Sequence, residues 1–338
     1  MIRPSRPSLE VVGAFNPAAI RHNGETLLLL RVAEASPCET GGVSAPIYDV
    51  DSGRLEIRQW SRNAPGVDAT DPRVIIVNGR TWLTSISHLR LARSTDGINF
   101  EIDREPTLSP STPYETFGIE DPRITLLDGT YWINYSAVSP HGVSTALAST
   151  TDFRTFVRHG IIFPPSNKNV TIFPEKIRGR YAALHRPQLE GFERPGIWAA
   201  SSPDLKSWGN HSFVASARDD SWDNAKIGGG AVPFRVRSAN HDGWLAVYHG
   251  VTDSPYAYSL GALLLDAEDP SRVIARSREP ILEPEAEYER DGFFSGVVFT
   301  CGLVHDEDLV RIYYGAADGV TAVADLSLAA ILAGLSEP

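Results

Sequence analysis

GIEDPRITLLDGTYWINYSA, residues 118–137, reads as two strands folded around one tight turn. Asp128-Gly129 supplies the positive φ that a two-residue hairpin loop requires. The aliphatic and aromatic residues on either side suit a pleated, half-buried surface. The same unit returns as NPAAIRHNGETLLLLR (16–31), DPRVIIVNGRTWLTSI (71–86), FPEKIRGRYAALHRP (173–187), AVPFRVRSANHDGWLAVYHG (231–250) and VVFTCGLVHDEDLVRIYYG (297–315). Its turns are placed at Asn23-Gly24, Asn78-Gly79, Asp128-Gly129, Arg178-Gly179, Asp242-Gly243 and near Glu307-Asp308, at intervals of 55, 50, 50, 64 and 65 residues.

A second unit follows three of these hairpins: STDGINF (94–100), STTDFRTF (149–156) and SSPDLKSW (201–208). In each, an aromatic lies four residues after an Asp. This is the pattern of an Asp-stabilised turn leading into an outer strand whose aromatic packs between neighbouring sheets. Two hairpins per super-period make a four-stranded sheet, and radial repetition of such sheets is a β-propeller. A β-sandwich also has many short strands, but its turns recur about every 8 to 12 residues without a longer period. The expectation is an all-β propeller occupying residues 1–338 as one catalytic domain.

The 28 Gly and 24 Pro are spread along the 338 residues, which favours short elements joined by turns. A formal net charge of −11 does not suit a nucleic-acid or acidic-membrane binder, which needs a basic face. Cys38 and Cys301 lack metal-ligand spacing and are read as two reduced thiols. No signal-peptide core and no run of about 18 apolar residues is present, so a cytoplasmic location is expected.

In a propeller the inner strands begin beside the central channel, and the residues there are polar: Asn16, Asp71, Asp121, Lys168-Asn169, Lys226 and, after the last strand pair, Asp318. The ends of second strands add Arg31, His88, Arg186 and His249. Buried charges are costly unless paired, so a convergent charged set suggests a site. Asp-Pro-Arg occurs twice, at 71–73 and 121–123, and the tripeptide alone does not choose between them. The flanking Glu120 and the aromatic hairpin YWINYSA favour Asp121, with Pro122 biasing it toward extended backbone and Arg123 free to brace a carboxylate. Lys168, Arg186, Lys226 and His249 come from different segments and together suit a dianion. Gly228-Gly229-Gly230 lacks the strand–helix context of a dinucleotide loop and instead permits close backbone approach. Trp222, Tyr256, Tyr258 and Phe299 offer faces for a sugar.

GIEDPRIT, NKNVTIFPEKIRGRYAALHRP, KIGGGAVPF, GWLAVYHGV, GALLLDAEDPSRVIARS, ILEPEAEYE and RIYYGAAD, in this order between Phe15 and Ala324, resemble glycoside hydrolase family 130, the mannoside phosphorylases and related mannosidases. The resemblance implies a five-bladed propeller with an axial site, in which the Asp71 unit is additional. It implies an inverting reaction in which Asp121 is the general acid, acting through a hydroxyl of the mannose, and inorganic phosphate attacks the opposite face to give α-mannose 1-phosphate. No cofactor and no metal are implied. Asp121 would then need a raised pKa, from burial or from Glu120. Lys168, Arg186, Lys226 and His249 resemble the phosphate-binding set, with Lys168 replacing an Arg of many members. Asn16 and Asp318 resemble residues that hold the mannose, with Arg31, His88 and Arg123 beside them. His185, Tyr256 and Phe299 would lie toward the acceptor sugar. The LHRP and SHLRLARS segments resemble the oligomannoside branch, favouring β-1,2 over β-1,4 linkages. A β-mannoside hydrolase and a non-catalytic sugar-binding propeller are the rival readings. Lys226 and His249 speak against the first, and Asp121 against the second. The partners expected are a small oligosaccharide and phosphate, with no nucleic acid and no membrane; homo-oligomerisation is left open.

Overall fold

A computed structural model describes residues 2–188, 191, 193–237 and 241–337. Strands β1 (Glu10–His22) and β2 (Glu25–Ala35) form the first hairpin. An inserted segment follows, carrying the two-stranded sheet β3 (Gly42–Asp49) and β4 (Arg54–Ser61) and the three-stranded sheet β5 (Val67–Asp68), β6 (Val74–Val77) and β7 (Arg80–Leu83). The chain then returns as β8 (Ser85–Ser94), which pairs with β2, and β9 (Glu101–Ile102), which pairs with β8. The next antiparallel group is β10 (Gly118–Leu127), β11 (Thr130–Ser139), β12 (Gly142–Thr150) and β13 (Val157–Phe163). A parallel contact of Gly118 with Ser87 joins it to β8.

β14 (Asn167–Ile172), β15 (Tyr181–Pro187), β16 (Ile197–Ser202) and β17 (Gly209–Ala215) make a separate four-stranded sheet. In the following group the first strand is broken into β18 (Lys226–Gly229) and β19 (Phe234–Arg237), both paired with β20 (Asp242–Asp253). β21 (Tyr256–Asp266) and β22 (Val273–Ser277) complete it. After the short helix α1 (Glu287–Arg290) come β23 (Val298–Asp306), β24 (Leu309–Ala316) and β25 (Val320–Ser327). Helix α2 (Leu328–Ala333) and β26 (Leu335–Ser336) end the described chain, with β26 against β22.

Each group packs on the next through buried aliphatics. Leu29 and Leu91 meet Ile124 and Ile133. Leu127 and Leu147 meet Val170 and Ile172, and Leu184 and Ile197 meet Ile227 and Trp244. Val247 and Leu260 meet Val298 and Ile312. Val304 and Tyr313 then close on Leu28 and Leu30 of the first hairpin.

The turn chemistry holds where it was expected. Asn23, Asn78, Asp128, Arg178 and Glu307 sit at φ of 49–51°. Asp96, Asp152 and Asp204 each accept two backbone N–H groups through Oδ1, and Phe100 packs on Tyr313 of β24. Two expectations are corrected. Asp242-Gly243 is not a turn, because both residues pair inside β20, and the connection falls at 238–241, of which 238–240 lie outside the described residues. The Asn78-Gly79 hairpin belongs to the small β5–β7 sheet, because β8 leaves it to pair with β2. Both cysteines are free, Cys301 buried and Cys38 exposed. Among the described residues no helix is long and apolar enough to cross a membrane.

Candidate active site

Several side chains that line one polar cavity project from bulges near the starts of inner strands. The β1–β2 register slips between Phe15 and Ala18, β10–β11 between Glu120 and Arg123, and β14–β15 between Lys168 and Thr171. At these bulges Asn16, Asp121 and Asn169 have φ of 49, 48 and 55°, and Asp318, just past β24, has φ of 50°. Asn and Asp tolerate this left-handed region better than other non-glycine residues. Asp121 is therefore not extended as Pro122 suggested; the bulge inserts an extra residue and re-aims its side chain. Gly315 and Gly228 make the space: a Cβ on Gly315 would lie 2.0 Å from Asn16 Oδ1, and one on Gly228 would lie 2.5 Å from Asn169 Nδ2.

Asn16, Arg31, Asp121, Lys168, Arg186, His249, Phe299 and Asp318 line one cavity of about 280 Å³. On its acidic side Asn16 Nδ2 donates to Asp121 Oδ1 at 2.9 Å. Arg31 lies between two carboxylates, 3.1 Å from Asp121 Oδ1 and 2.8 Å from Glu120 Oε1, with Nε donating to Ser87 Oγ at 3.1 Å. Arg186 is a buried cation and Lys168 a partly buried one, and desolvation pushes the pKa of both down. Arg186 Nη1 donates to His249 Nε2 at 3.2 Å. A guanidinium can only donate, so Nε2 is unprotonated and the proton sits on Nδ1, which is buried without a partner. Burial, then Arg186 and Lys226, hold the His249 pKa well below its ordinary value. His249 is therefore a neutral donor, and the expected set of four cations loses one member.

Burial pushes the Asp121 carboxyl upward, but Arg31, Arg123, the Asn16 hydrogen bond and Lys168 outweigh it and leave the pKa lowered. This corrects the expected rise. The raised carboxylate is Asp318, moved up to about 6 by burial and by the neighbouring Asp121 and Glu120 charges. Arg123 braces backbone rather than a carboxylate: it donates to the carbonyls of Asp121, Gly230 and Gly229 at 2.9, 3.0 and 3.2 Å and is 1% exposed.

Lys226, Tyr256, His88, His185 and Trp222, like Arg123 and Asp71, stand outside the cavity lining. Lys226 donates to Tyr256 Oη at 3.3 Å, and its ammonium lies 5.2 Å from the Tyr258 ring centre. Tyr256 is 44% exposed, and Tyr258, stacked on His249, lines the cavity instead. His88 is buried beside Glu34 and Arg90, because β8 is the third strand of the first group and Val32 is its partner. His185 alternates with Arg186 on β15 and so faces away, between Asn167 and His211. Trp222 is likewise a packing residue, stacked on Tyr248 with Nε1 donating to the Arg278 carbonyl.

A carboxyl group, once protonated, and two cations lining one space suit acid-assisted transfer to an anion. A family profile described as beta-1,4-mannooligosaccharide phosphorylase, of glycoside hydrolase family 130, matches residues 72–337. The chain belongs to glycoside hydrolase family 130. This family-130 chain is 45% identical over 336 residues to a beta-1,2-mannobiose phosphorylase of Listeria innocua serovar 6a, covering 98% of the chain and 93% of the relative. A 1,2-beta-oligomannan phosphorylase of Thermoanaerobacter sp. is 41% identical over 246 residues, covering 72% of the chain and 79% of the relative. The structure of the Listeria innocua beta-1,2-mannobiose phosphorylase in complex with beta-1,2-mannobiose superposes with a TM-score of 0.94 at 44% identity, over 98% of this chain and 94% of that one. A thermostable family-43 glycoside hydrolase, 14% identical with a TM-score of 0.59 over 96% and 92% of the two chains, shares the fold alone.

The family-130 cavity also contains residues that no motif announced: Phe15, Arg73, Val74, Phe293, Phe294 and Val297. Phe15 was detectable only as the neighbour of Asn16. Arg73 repeats the Arg of Asp-Pro-Arg, but nothing local distinguishes its direction from that of Arg123.

Proposed function

We propose that this chain is an inverting phosphorylase of β-mannosides, with β-1,2-linked mannooligosaccharides as substrate and α-mannose 1-phosphate as product. The observation that carries the reading is one cavity lined by Asp121 together with Lys168 and Arg186. The linkage follows from the resemblance to β-1,2-acting relatives over nearly the whole chain. The fold is read as a five-bladed propeller forming one domain, 1–338: the strand groups led by β1, β10, β14, β18 and β23 are the blades, supported by their cyclic packing.

In this mechanism the mannosyl unit sits over Asn16, Arg31 and Asp318. Lys168 and Arg186, with the neutral His249 against Arg186, hold hydrogen phosphate, and Lys226 lies at the rim. Asp121 gives its proton, through a mannose hydroxyl, to the glycosidic oxygen as the C1–O bond breaks. A phosphate oxygen forms the new C1–O bond from the opposite face, as inversion demands, and the proton of the hydrogen phosphate restores Asp121. Free Asp121 is ionised, so it must be loaded. A dianion beside Lys168 and Arg186 offsets the charges that depress its pKa, and phosphate binding and Asp121 protonation therefore favour one another. Phosphate is the co-substrate; no organic cofactor enters the scheme. The direct test is release of mannose from β-1,2-mannobiose with and without inorganic phosphate. Strict phosphate dependence with α-mannose 1-phosphate as product is expected, and equal rates in phosphate-free buffer would identify a hydrolase.

A further inference from the structure

The two copies of Asp-Pro-Arg are used in opposite ways. In the copy at 121–123 the Asp lines the cavity and the Arg is buried beneath it. In the copy at 71–73 the Arg lines the cavity and the Asp holds it: Arg73 Nε and Nη2 donate to Asp71 Oδ1 and Oδ2 at 3.0 and 2.7 Å. Asp71 Oδ1 also accepts the backbone N–H of Arg73 at 2.9 Å, which fixes the loop. The guanidinium carbon lies 3.9 Å from the ring centre of Phe294, another cavity residue, whose ring stands edge-on to Tyr256 at 5.7 Å. The Arg73 and Asp71 side chains are 41% and 37% exposed, whereas those of Glu120 and Asp121 are 11% and 13% exposed. Arg73 therefore stands at the mouth and the reacting groups at the floor.

We propose that Arg73, clamped by Asp71 and stacked on Phe294, is the residue of the inserted segment that binds the leaving sugar and sets preference for it. The inference rests on the phosphorylase reading. The bidentate Arg73–Asp71 pair as a whole carries no net charge, so it suits the hydroxyls of a neutral sugar better than phosphate. The pair presents donors and acceptors on one plane, and the stack on Phe294 holds that plane rigid. Val74 and Leu83 of the same insertion add apolar wall beside it.

The test is run in both directions: synthesis from mannose 1-phosphate with mannose or β-1,2-mannobiose as acceptor, and phosphorolysis of β-1,2-mannobiose. Arg73→Ala is expected to raise the acceptor KM about tenfold or more, the scale of a lost charged hydrogen bond, with the phosphate KM unchanged within about twofold. Arg73→Lys keeps the charge but loses the fork, and is expected to show the same split at unaltered thermal stability. A purely structural role would lower kcat and stability together without that split, and would overturn the assignment. An unchanged acceptor KM, or a phosphate KM that rises instead, also overturns it while leaving the phosphorylase reading intact. A wild-type enzyme indifferent to phosphate removes both.

Discussion

Asn16 and Asp121 are 105 positions apart in the chain, yet Asn16 Nδ2 donates to Asp121 Oδ1 at 2.9 Å. Both occupy bulges with nearly equal φ, on the leading strands β1 and β10 of successive strand groups. The bond stabilises the charged carboxylate and orients it, while Asn16 Oδ1 is buried against Gly315.

Replacing Asp121 by Asn keeps the side-chain shape and removes the transferable proton. We expect turnover to fall by about 100- to 10,000-fold, the usual worth of general acid catalysis, with mannobiose affinity retained. Coupled detection of mannose 1-phosphate and calorimetric titration separate the two effects. Wild-type turnover in the variant would remove Asp121 from the mechanism.

Phosphate affinity should depend on the cavity cations. Arg186→Ala is expected to raise the phosphate KM by about ten- to a hundredfold, since a charged hydrogen bond contributes roughly 1.5–3 kcal/mol. The KM for mannobiose at saturating phosphate should move much less. Lys168→Arg, which restores a fork, should lower the phosphate KM or leave it unchanged.

Asp318 should cost stability at neutral pH. Its folded pKa is raised from 3.8 to about 6, so its unfavourable charging develops as pH rises from about 4 through 6. A raised pKa means that the native state is favoured below 3.8 and loses that advantage as pH passes the folded value. Asp318→Asn is therefore expected to stabilise the protein at pH 7 by on the order of 2–3 kcal/mol, and by almost nothing near pH 4. Urea titrations at the two pH values measure the difference; an equal change at both would contradict it. Sugar affinity should fall in the same variant, a trade of function for stability.

The Asp223 cluster predicts the opposite pH dependence. Asp223 is fully buried and accepts hydrogen bonds from Arg218, Tyr248 and Arg276, and these overcome its burial and lower its pKa. Its contribution is present above the ordinary carboxylate range and disappears as pH falls through the lowered value. Asp223→Ala leaves Arg276 buried and unpaired and should cost about 3–5 kcal/mol in urea unfolding at pH 7. A loss below about 1 kcal/mol would show that water replaces the carboxylate there.

The hairpins, the Asp-stabilised turns and the polar starts of inner strands were legible because each rests on a few adjacent residues. The repeat pointed to radially repeated sheets with polar inner-strand starts, and Asn16, Asp121, Lys168, Arg186, His249 and Asp318 line one cavity. It misled at the Asn78-Gly79 hairpin, where the local signal is real but β8 has a better partner in β2. His88 was misplaced for that reason. His185 was misplaced because adjacent strand residues face opposite ways, so naming the right strand end does not name the right side chain.

What the sequence determined by itself is thus the set of turns, the repeat they punctuate and the chemical kinds of residue at strand starts, all consequences of φ preferences and nearest neighbours. Tertiary structure decided the rest: that His249 is neutral, that Asp318 rather than Asp121 carries the raised pKa, and that Arg73 enters the cavity while Arg123 lies under it. Charge state and direction are sums over groups brought together from distant segments. No local pattern encodes such a sum until the strands have paired and closed upon one another.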